Sequence, residues 1–303
     1  MQANAVQLDV NEINNESISK IKYCKKLTGF EKKELWFQRL FIWISIAVIF
    51  FPILCVIGAS LGTGDAFFNG TIIPEKITFN NYIEIFTSDS TDFIGAFGRT
   101  FAVCAGVGII QIVMTVTASY AVSRMRFKGR KYGLLSLLIL QMFPSTMTIS
   151  AIYAIVSQFE LQGNMLVLIL FLAGGSAFNV WLLKNFMDGI PRELDESAKV
   201  DGATHWQIFT KIILPLTRPM IAVMFFFSVQ GTYNEFILSN MILNTPETQT
   251  IMCLLRSFIS GNFNRHWTIF AAGSIVASIP LVVLFMCLQK FIEKGLVAGA
   301  VKG

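Results

Sequence analysis

The sequence predicts an all-α integral membrane protein: six transmembrane helices, with a polar helix-turn-helix on the cytoplasmic side between spans 4 and 5. Three observations carry this. Of 303 residues, 54% are hydrophobic and only 14% charged, with mean hydropathy +0.61; soluble domains lie near 45–50% apolar and about 25% charged. Long charge-free windows recur, and they are solidly apolar rather than alternating, which excludes a β-barrel. Their backbone amides find no partner in lipid, so each window must be helical. Finally, twenty of the 24 Lys and Arg fall on one side of the resulting topology, the side that also holds both termini. Basic residues collect inside, so that side is cytoplasmic. The net charge of +5 therefore reports topology and gives no sign of a nucleic-acid partner.

Residues 1–35 form a polar cytoplasmic segment, too long for the basic region of a signal peptide, so the first span is read as an uncleaved anchor. "FEKKELWF" can lie as an interfacial helix with Trp36 and Phe37 at headgroup level, or belong to a disordered basic tail; both readings stay open. Residues 36–295 are predicted to form the six-helix domain. A bilayer core needs roughly 20 helical residues to cross, and five windows suffice: Leu40–Gly64, Thr100–Ser123, Tyr132–Phe159, Leu161–Leu183 and His266–Gln289. Pro219–Asn234 is short and reaches full length only if Glu235 lies at the outer boundary and the span runs on toward Ile242. Met142, Phe143 and Met147 around Pro144 read as packing at a kink. "RMRFKGRKYG" is a basic inner turn. The outer loops include "GTGDAFFNG" and "RSFISGNFNRHW". Five cysteines, odd in number and mostly within spans or inside, give no disulfide framework or metal spacing.

Residues 188–215 are unlike their surroundings. Pro191 suits a first helical turn. Glu193, Asp195 and Glu196 match the positive end of that helix's dipole, and Lys199 the negative end. Gly202 is placed to take the left-handed conformation that stops the helix. Thr204, with Gln207 three residues on, starts a second helix with a capping box; it carries Ile208, Phe209, Ile212 and Ile213 before Pro215 opens the fifth span. A plain linker needs none of this. The unit either lies as an amphipathic hairpin on lipid or presents a helix to a groove on a cytoplasmic partner.

Direct catalysis is not expected. The sequence lacks GxxxxGK[ST] for ATP, and its two histidines, His205 and His266, fall on opposite sides of the membrane, so no metal site is predicted. Amides within spans (Gln111, Gln141, Asn179, Gln230, Asn234) read first as interhelical anchors. Gln230, Tyr233, Asn234 and Glu235 are the candidate translocation-pathway residues, since an ionisable group at membrane depth is usually functional; Glu235 snorkelling into the outer headgroups is the plainer reading.

The stretch from Glu193 to Leu216 resembles the EAA loop of ABC-importer inner-membrane permeases. Glu196, Ser197 and Ala198 stand for E-A-A, with Ser197 the departure; Asp201 and Gly202 follow, and Ile212-Ile213-Leu214-Pro215 falls at the required distance. "YAVSRMRFKGR", "QMFP", "DGAT" and the ending "GLVAGAVKG" are similar to the maltose/maltodextrin (MalG-like) branch of that binding-protein-dependent transport family. The resemblance implies that Glu196, Ser197, Ala198, Asp201, Gly202, Ile212, Leu214 and Pro215 form a coupling loop seated in a cleft of an ATPase subunit. It also implies that the tail, residues 296–303, reaches the ATPase dimer through Gly299, Val301, Lys302 and Gly303, and that the outer loop "SFISGNFNRHW" meets a binding protein. The implied partners are a second permease subunit (MalF-like), an ATPase dimer (MalK-like) that binds the ATP, an extracytoplasmic sugar-binding protein and the sugar. This chain itself would hold no cofactor and act as a non-catalytic subunit in the bacterial plasma membrane. Import of another carbohydrate or a glycerol phosphoester, or ion-coupled secondary transport, are the alternatives.

Overall fold

The computed structural model describes residues 29–64, 74, 76–88, 91–175, 177–260 and 266–300. The described residues contain helices and no strand. Residues 1–54 and 55–303 form two compact units. The described part of the first is the helix α1 (Gly29–Ser60) as far as Leu54. It is helical from Gly29, so the helical reading of "FEKKELWF" is the one observed. Its apolar residues, Trp36, Phe41 and Trp43 among them, are exposed, as suits a surface in contact with lipid.

The second unit begins with the last turn of α1, where the Asn81 amide donates to the carbonyls of Ser60 and Gly62 at 2.8 Å each. Asn81 belongs to α2 (Asn80–Thr87), the short surface helix. The central mast is α3 (Phe93–Arg124), 32 residues long and hence about 48 Å at 1.5 Å per residue. Asp92 caps it by accepting from Gly95 N–H at 2.9 Å. A hydrogen bond from Arg99, then the Gly95 amide, holds the Asp92 carboxyl below its ordinary range.

Three apolar clusters are strung along α3. Phe93, Ala96 and Cys104 pack with Tyr233, Leu254 and Ala272; Val103 and Val107 with Val156, Leu168 and Ile242; Val116 and Tyr120 with Leu183, Met187, Ile208 and Ile213. The neighbours come from α5 (Ser145–Gln158), α6 (Met165–Ala173), α7 (Ala177–Asp188), α10 (Leu214–Tyr233), α11 (Ile237–Ile242), α12 (Ile251–Ser257) and α13 (Trp267–Ala300), while α4 (Arg130–Gln141) lies against α3 and α7 outside these clusters. The two helices of the elbow, α8 (Glu193–Val200) and α9 (His205–Ile208), precede α10. The close pairs are α10 with α13 and α3, and α3 with α6 and α7.

Two sequence expectations take a different form. The stretch Tyr132–Phe159 is not one kinked helix. α4 and α5, of 12 and 14 residues, are separated at Met142–Pro144, because the residue before a proline is pushed out of the helical region. Met142, Phe143 and Met147 are 81%, 65% and 66% exposed, so they do not pack at a kink within this chain. The stretch Leu161–Leu183 is likewise a bent pair, α6 and α7. Among the described residues four helices are long and apolar enough to cross a membrane, or five if the bent pair is one span, with α4 and α5 as shorter apolar helices.

Candidate functional site: a capped elbow bolted to the mast

The elbow is closed by the signals its sequence carries. α8 holds Glu193, Asp195 and Glu196 in its first turn and Lys199 in its last; Pro191 lies just before it, with Arg192 as the flanking residue. Gly202 has φ +82. Ala203 N–H bonds to Ala198 C=O at 2.9 Å and Gly202 N–H to Lys199 C=O at 3.0 Å. These are the 6→1 and 5→2 bonds of a Schellman stop. The capping box follows: Gln207 N–H donates to Thr204 Oγ1 at 3.3 Å, and Thr204 N–H to Gln207 Oε1 at 2.8 Å.

Beyond α9 the chain does not break. Phe209–Ile213 widen into a π-turn and α10 continues, so His205–Tyr233 is one rod. This differs from a fifth span opened by Pro215. That proline sits within the first helical positions of α10, where a missing amide is tolerated, and the rod is helical upstream of it.

One side of the elbow is buried on the bundle. Ile208, Phe209 and Ile213 are 1%, 6% and 0% exposed, with Phe209 against Tyr120 at 4.8 Å between ring centroids. Each such side chain stabilises by roughly 1.5–3 kcal/mol. The elbow is thus anchored on its own bundle, which a loose hairpin on lipid would not be. The other side is open: Glu196, Ser197, Asp201 and Gly202 are exposed, Ala198, Ile212, Leu214 and Pro215 partly buried, and the apolar Leu194, Val200 and Trp206 stand out beside them. Glu196 also borders a cleft of about 550 Å3 whose walls carry Arg126, Arg192 and Lys199.

The structure adds a joint that no sequence motif marked. Arg124, the last residue of α3, places Nε 3.0 Å from Asp195 Oδ2, the two side chains being 4% and 10% exposed; the contact is an ion pair rather than a well-directed hydrogen bond. Arg124 Nη2 donates to Ile190 C=O at 2.9 Å. Alongside, Ser123 Oγ donates to Asp188 Oδ1 at 2.6 Å, and Lys184 reaches Asp188 Oδ2 at 2.7 Å. Asp195 had been read only as a match to the helix dipole. Its partner lies 71 positions upstream, where no local pattern reaches.

The candidate pathway residues differ in their surroundings, although Tyr233 and Asn234 line one cavity of about 330 Å3. Tyr233 is 2% exposed and its hydroxyl donates to Ala277 C=O at 2.7 Å, tying α10 to α13. The Glu235 carboxylate accepts from Leu238 N–H, Ser239 N–H and Ser239 Oγ at 2.7, 2.8 and 2.6 Å. It therefore caps the start of α11. Gln230 is partly buried; only Asn234 is exposed. The interhelical reading of the other amides fits Gln111, which donates to Leu172 C=O at 2.9 Å and accepts from Ser228 Oγ at 2.6 Å. It also fits Gln141, which accepts from Phe178 N–H at 2.9 Å. At the far end α13 stays helical through Gly299 to Ala300. Val301, Lys302, Gly303, the N-terminal 28 residues and most of "GTGDAFFNG" and "SGNFNR" lie outside the described residues.

A helical bundle with several helices apolar enough to cross a membrane and a capped polar elbow defines the class as a helical membrane protein. The family described as "binding-protein-dependent transport system inner membrane component" matches residues 111–297, and the chain belongs to it. The galactooligosaccharides transport system permease protein GanQ of Bacillus subtilis is 36% identical over 271 residues, covering 89% of this chain and 96% of that protein. The maltodextrin permease MdxG of Bacillus subtilis is 34% identical, covering 87% and 95%. The maltose/maltodextrin permease MalG of Escherichia coli is 32% identical, covering 90% and 97%. Among solved structures, a chain of a bacterial ABC transporter that imports alginate superposes with TM-score 0.75 at 20% identity, covering 88% of this chain and 98% of that one. The chain is a permease subunit of an ABC importer and not an enzyme; ATP hydrolysis belongs to a separate subunit. Family membership removes ion-coupled secondary transport.

Proposed function

We propose that this chain is one of two membrane subunits of an ABC importer for a maltose- or maltodextrin-type oligosaccharide. It has six spans, α4 and α5 together forming the third, and both termini lie in the cytoplasm. The elbow is a coupling device. Glu196 offers a carboxylate to a cation of the ATPase, Leu194, Val200 and Trp206 supply apolar contact, and Gly202 sets the turn. ATP-driven closure of the ATPase dimer moves the elbow, and the continuous rod His205–Tyr233 carries that movement into the bundle, opening the cavity alternately to a loaded binding protein and to the cytoplasm. The observation that carries this is the union of elbow and mast. The first helix of the elbow is clamped to α3 by the buried Arg124–Asp195 pair and the second is continuous with a span, so the unit transmits displacement instead of absorbing it. The tail, residues 296–303, is assigned to the ATPase interface on the resemblance of its sequence. Asn234, the one exposed member of its cluster, is retained as a pathway residue.

GanQ and MdxG are named for different oligosaccharides yet stand within two percentage points of identity, so a galactooligosaccharide is the second substrate reading. Uptake by the purified complex with its binding protein, comparing maltodextrins with galactooligosaccharides, decides between them. For the elbow, Glu196→Ala and Gly202→Asp are expected to leave the chain inserted and assembled but to abolish sugar-stimulated ATPase activity. A Cβ at Gly202 meets nothing within 4 Å in this chain, although φ +82 strains a side chain there by about 1–2 kcal/mol, so loss of coupling beyond what that small destabilisation accounts for reports a partner's close approach. Normal stimulated activity in both variants removes the elbow from the mechanism.

A further inference from the structure

We propose that the groove between α3, α4 and α7 is the seat of an anionic phospholipid of the cytoplasmic leaflet. The groove holds about 690 Å3 and is graded along its length. At one end stand Arg130 and Lys184; toward the other the walls are Leu134, Leu135 and Leu138. From Arg130 to Leu138 the helix rises about 12 Å, which takes the groove from headgroup level well into the hydrocarbon. Tyr132 and Trp181 line it near its charged end, the depth at which such rings settle.

The gradient selects the ligand. A sugar needs hydrogen-bonding groups along its length, and the deeper walls are aliphatic. A free phosphate has no use for them. A phosphodiester with an acyl chain matches both ends, and basic pockets between helices on the cytoplasmic side are where such headgroups bind. Both cations retain capacity. Arg130 uses one N–H on Ser123 C=O at 2.9 Å, of five it carries; Lys184 uses one on Asp188 at 2.7 Å, of three. Asp188 is the opposing charge at this end, and Ser123 Oγ shares it. Lys128, exposed on the same inner turn, adds to the positive field. The lipid phosphate therefore sits one contact from the residues that fasten α3 to α7 and to the elbow, so headgroup charge bears on the coupling joint.

The proposal rests on the cytoplasmic placement of this turn, and the test reads lipid directly, without transport. The assembled importer is purified from vesicles of phosphatidylcholine with and without phosphatidylglycerol, and retained lipid is identified by native mass spectrometry. Phosphatidylglycerol is expected to be retained and phosphatidylcholine not. Arg130→Gln and Lys184→Gln should each lower retention about fivefold, as about 1 kcal/mol per basic residue implies. Arg130→Lys should keep it, and Arg126→Gln, which removes a cation lining the elbow cleft and not this groove, should leave it unchanged. Displacement of the lipid by inorganic phosphate alone would show a headgroup-only site and overturn the acyl half. Equal retention of the neutral lipid, no effect of the double variant, or disulfide trapping of Leu135→Cys by the second permease overturns the whole. ATP-driven sugar uptake by the same preparation reports separately on the importer reading.

Discussion

Arg124 shows how a single residue changes meaning between sequence and structure. At the edge of an apolar window it reads as one more inward charge, yet its guanidinium is 96% withdrawn from solvent against Asp195. Two charges taken out of water attract strongly but pay a desolvation cost, so the pair adds little over apolar packing, whereas deleting one partner strands the other. Asp195→Ala is therefore expected to cost about 3–5 kcal/mol, lowering the thermal midpoint of the detergent-solubilised chain by roughly 5–10 °C. Replacing both residues with apolar side chains should recover much of that loss. A midpoint unchanged by Asp195→Ala would show that the joint is held by other contacts. The elbow's caps were legible because Gly202, Thr204 and Gln207 lie within six consecutive positions. The bolt was not, because pairing across 71 positions exists only after α3 and α8 have been packed together. The capping contacts of Glu235 were not legible for a related reason: its three hydrogen bonds depend on α11 beginning just after it, and an apolar window carries no mark for that break.

Among the helices, α3 is the one the others use, and its small residues permit it. A Cβ on Gly108 would lie 3.1 Å from Phe225 Cε2 and 3.6 Å from Val229, while one on Gly98 meets nothing within 4 Å. Small residues let backbones approach where lipid provides no hydrophobic drive for association. Gly108→Val is accordingly expected to destabilise by about 1–3 kcal/mol through overpacking, and Gly98→Val to be nearly neutral beyond helix propensity; thermal stability of the two variants in one detergent checks the contrast. Equal losses would assign the effect to propensity alone. The sequence marked the long apolar helices, because composition over 20 residues is a strong signal, but it left the short buried α12 within an outer loop. It did not mark where those stretches split. Pro144 reads as a kink in sequence although it ends α4's continuation outright, and nothing in the sequence marked the bend between α6 and α7. A hydropathy window averages over a break of three residues, while backbone sterics respond to a single one.

For the whole molecule, the determining quantity is the distribution of cations across the membrane. The inner turn Arg124–Lys131 joins α3 to α4, and by proximity to the ends of both it should set their orientation more firmly than any distant loop. In a cysteine-free version of the chain assembled with its partners in cells, a single Ser197→Cys is expected to react with a membrane-impermeant maleimide only after permeabilisation. A single Thr245→Cys, exposed in the connection after α11, should react in intact cells. Neutralising Arg126, Lys128 and Arg130 together should produce a mixed population in which part of the Ser197→Cys label becomes accessible from outside. That result would connect fold to function through one variable, since the elbow reaches an ATP-driven partner only if the charges beside it hold it on the nucleotide side. Labelling of Ser197→Cys from outside in the otherwise unaltered chain would place the elbow, the basic groove and the coupling residues in the wrong compartment together.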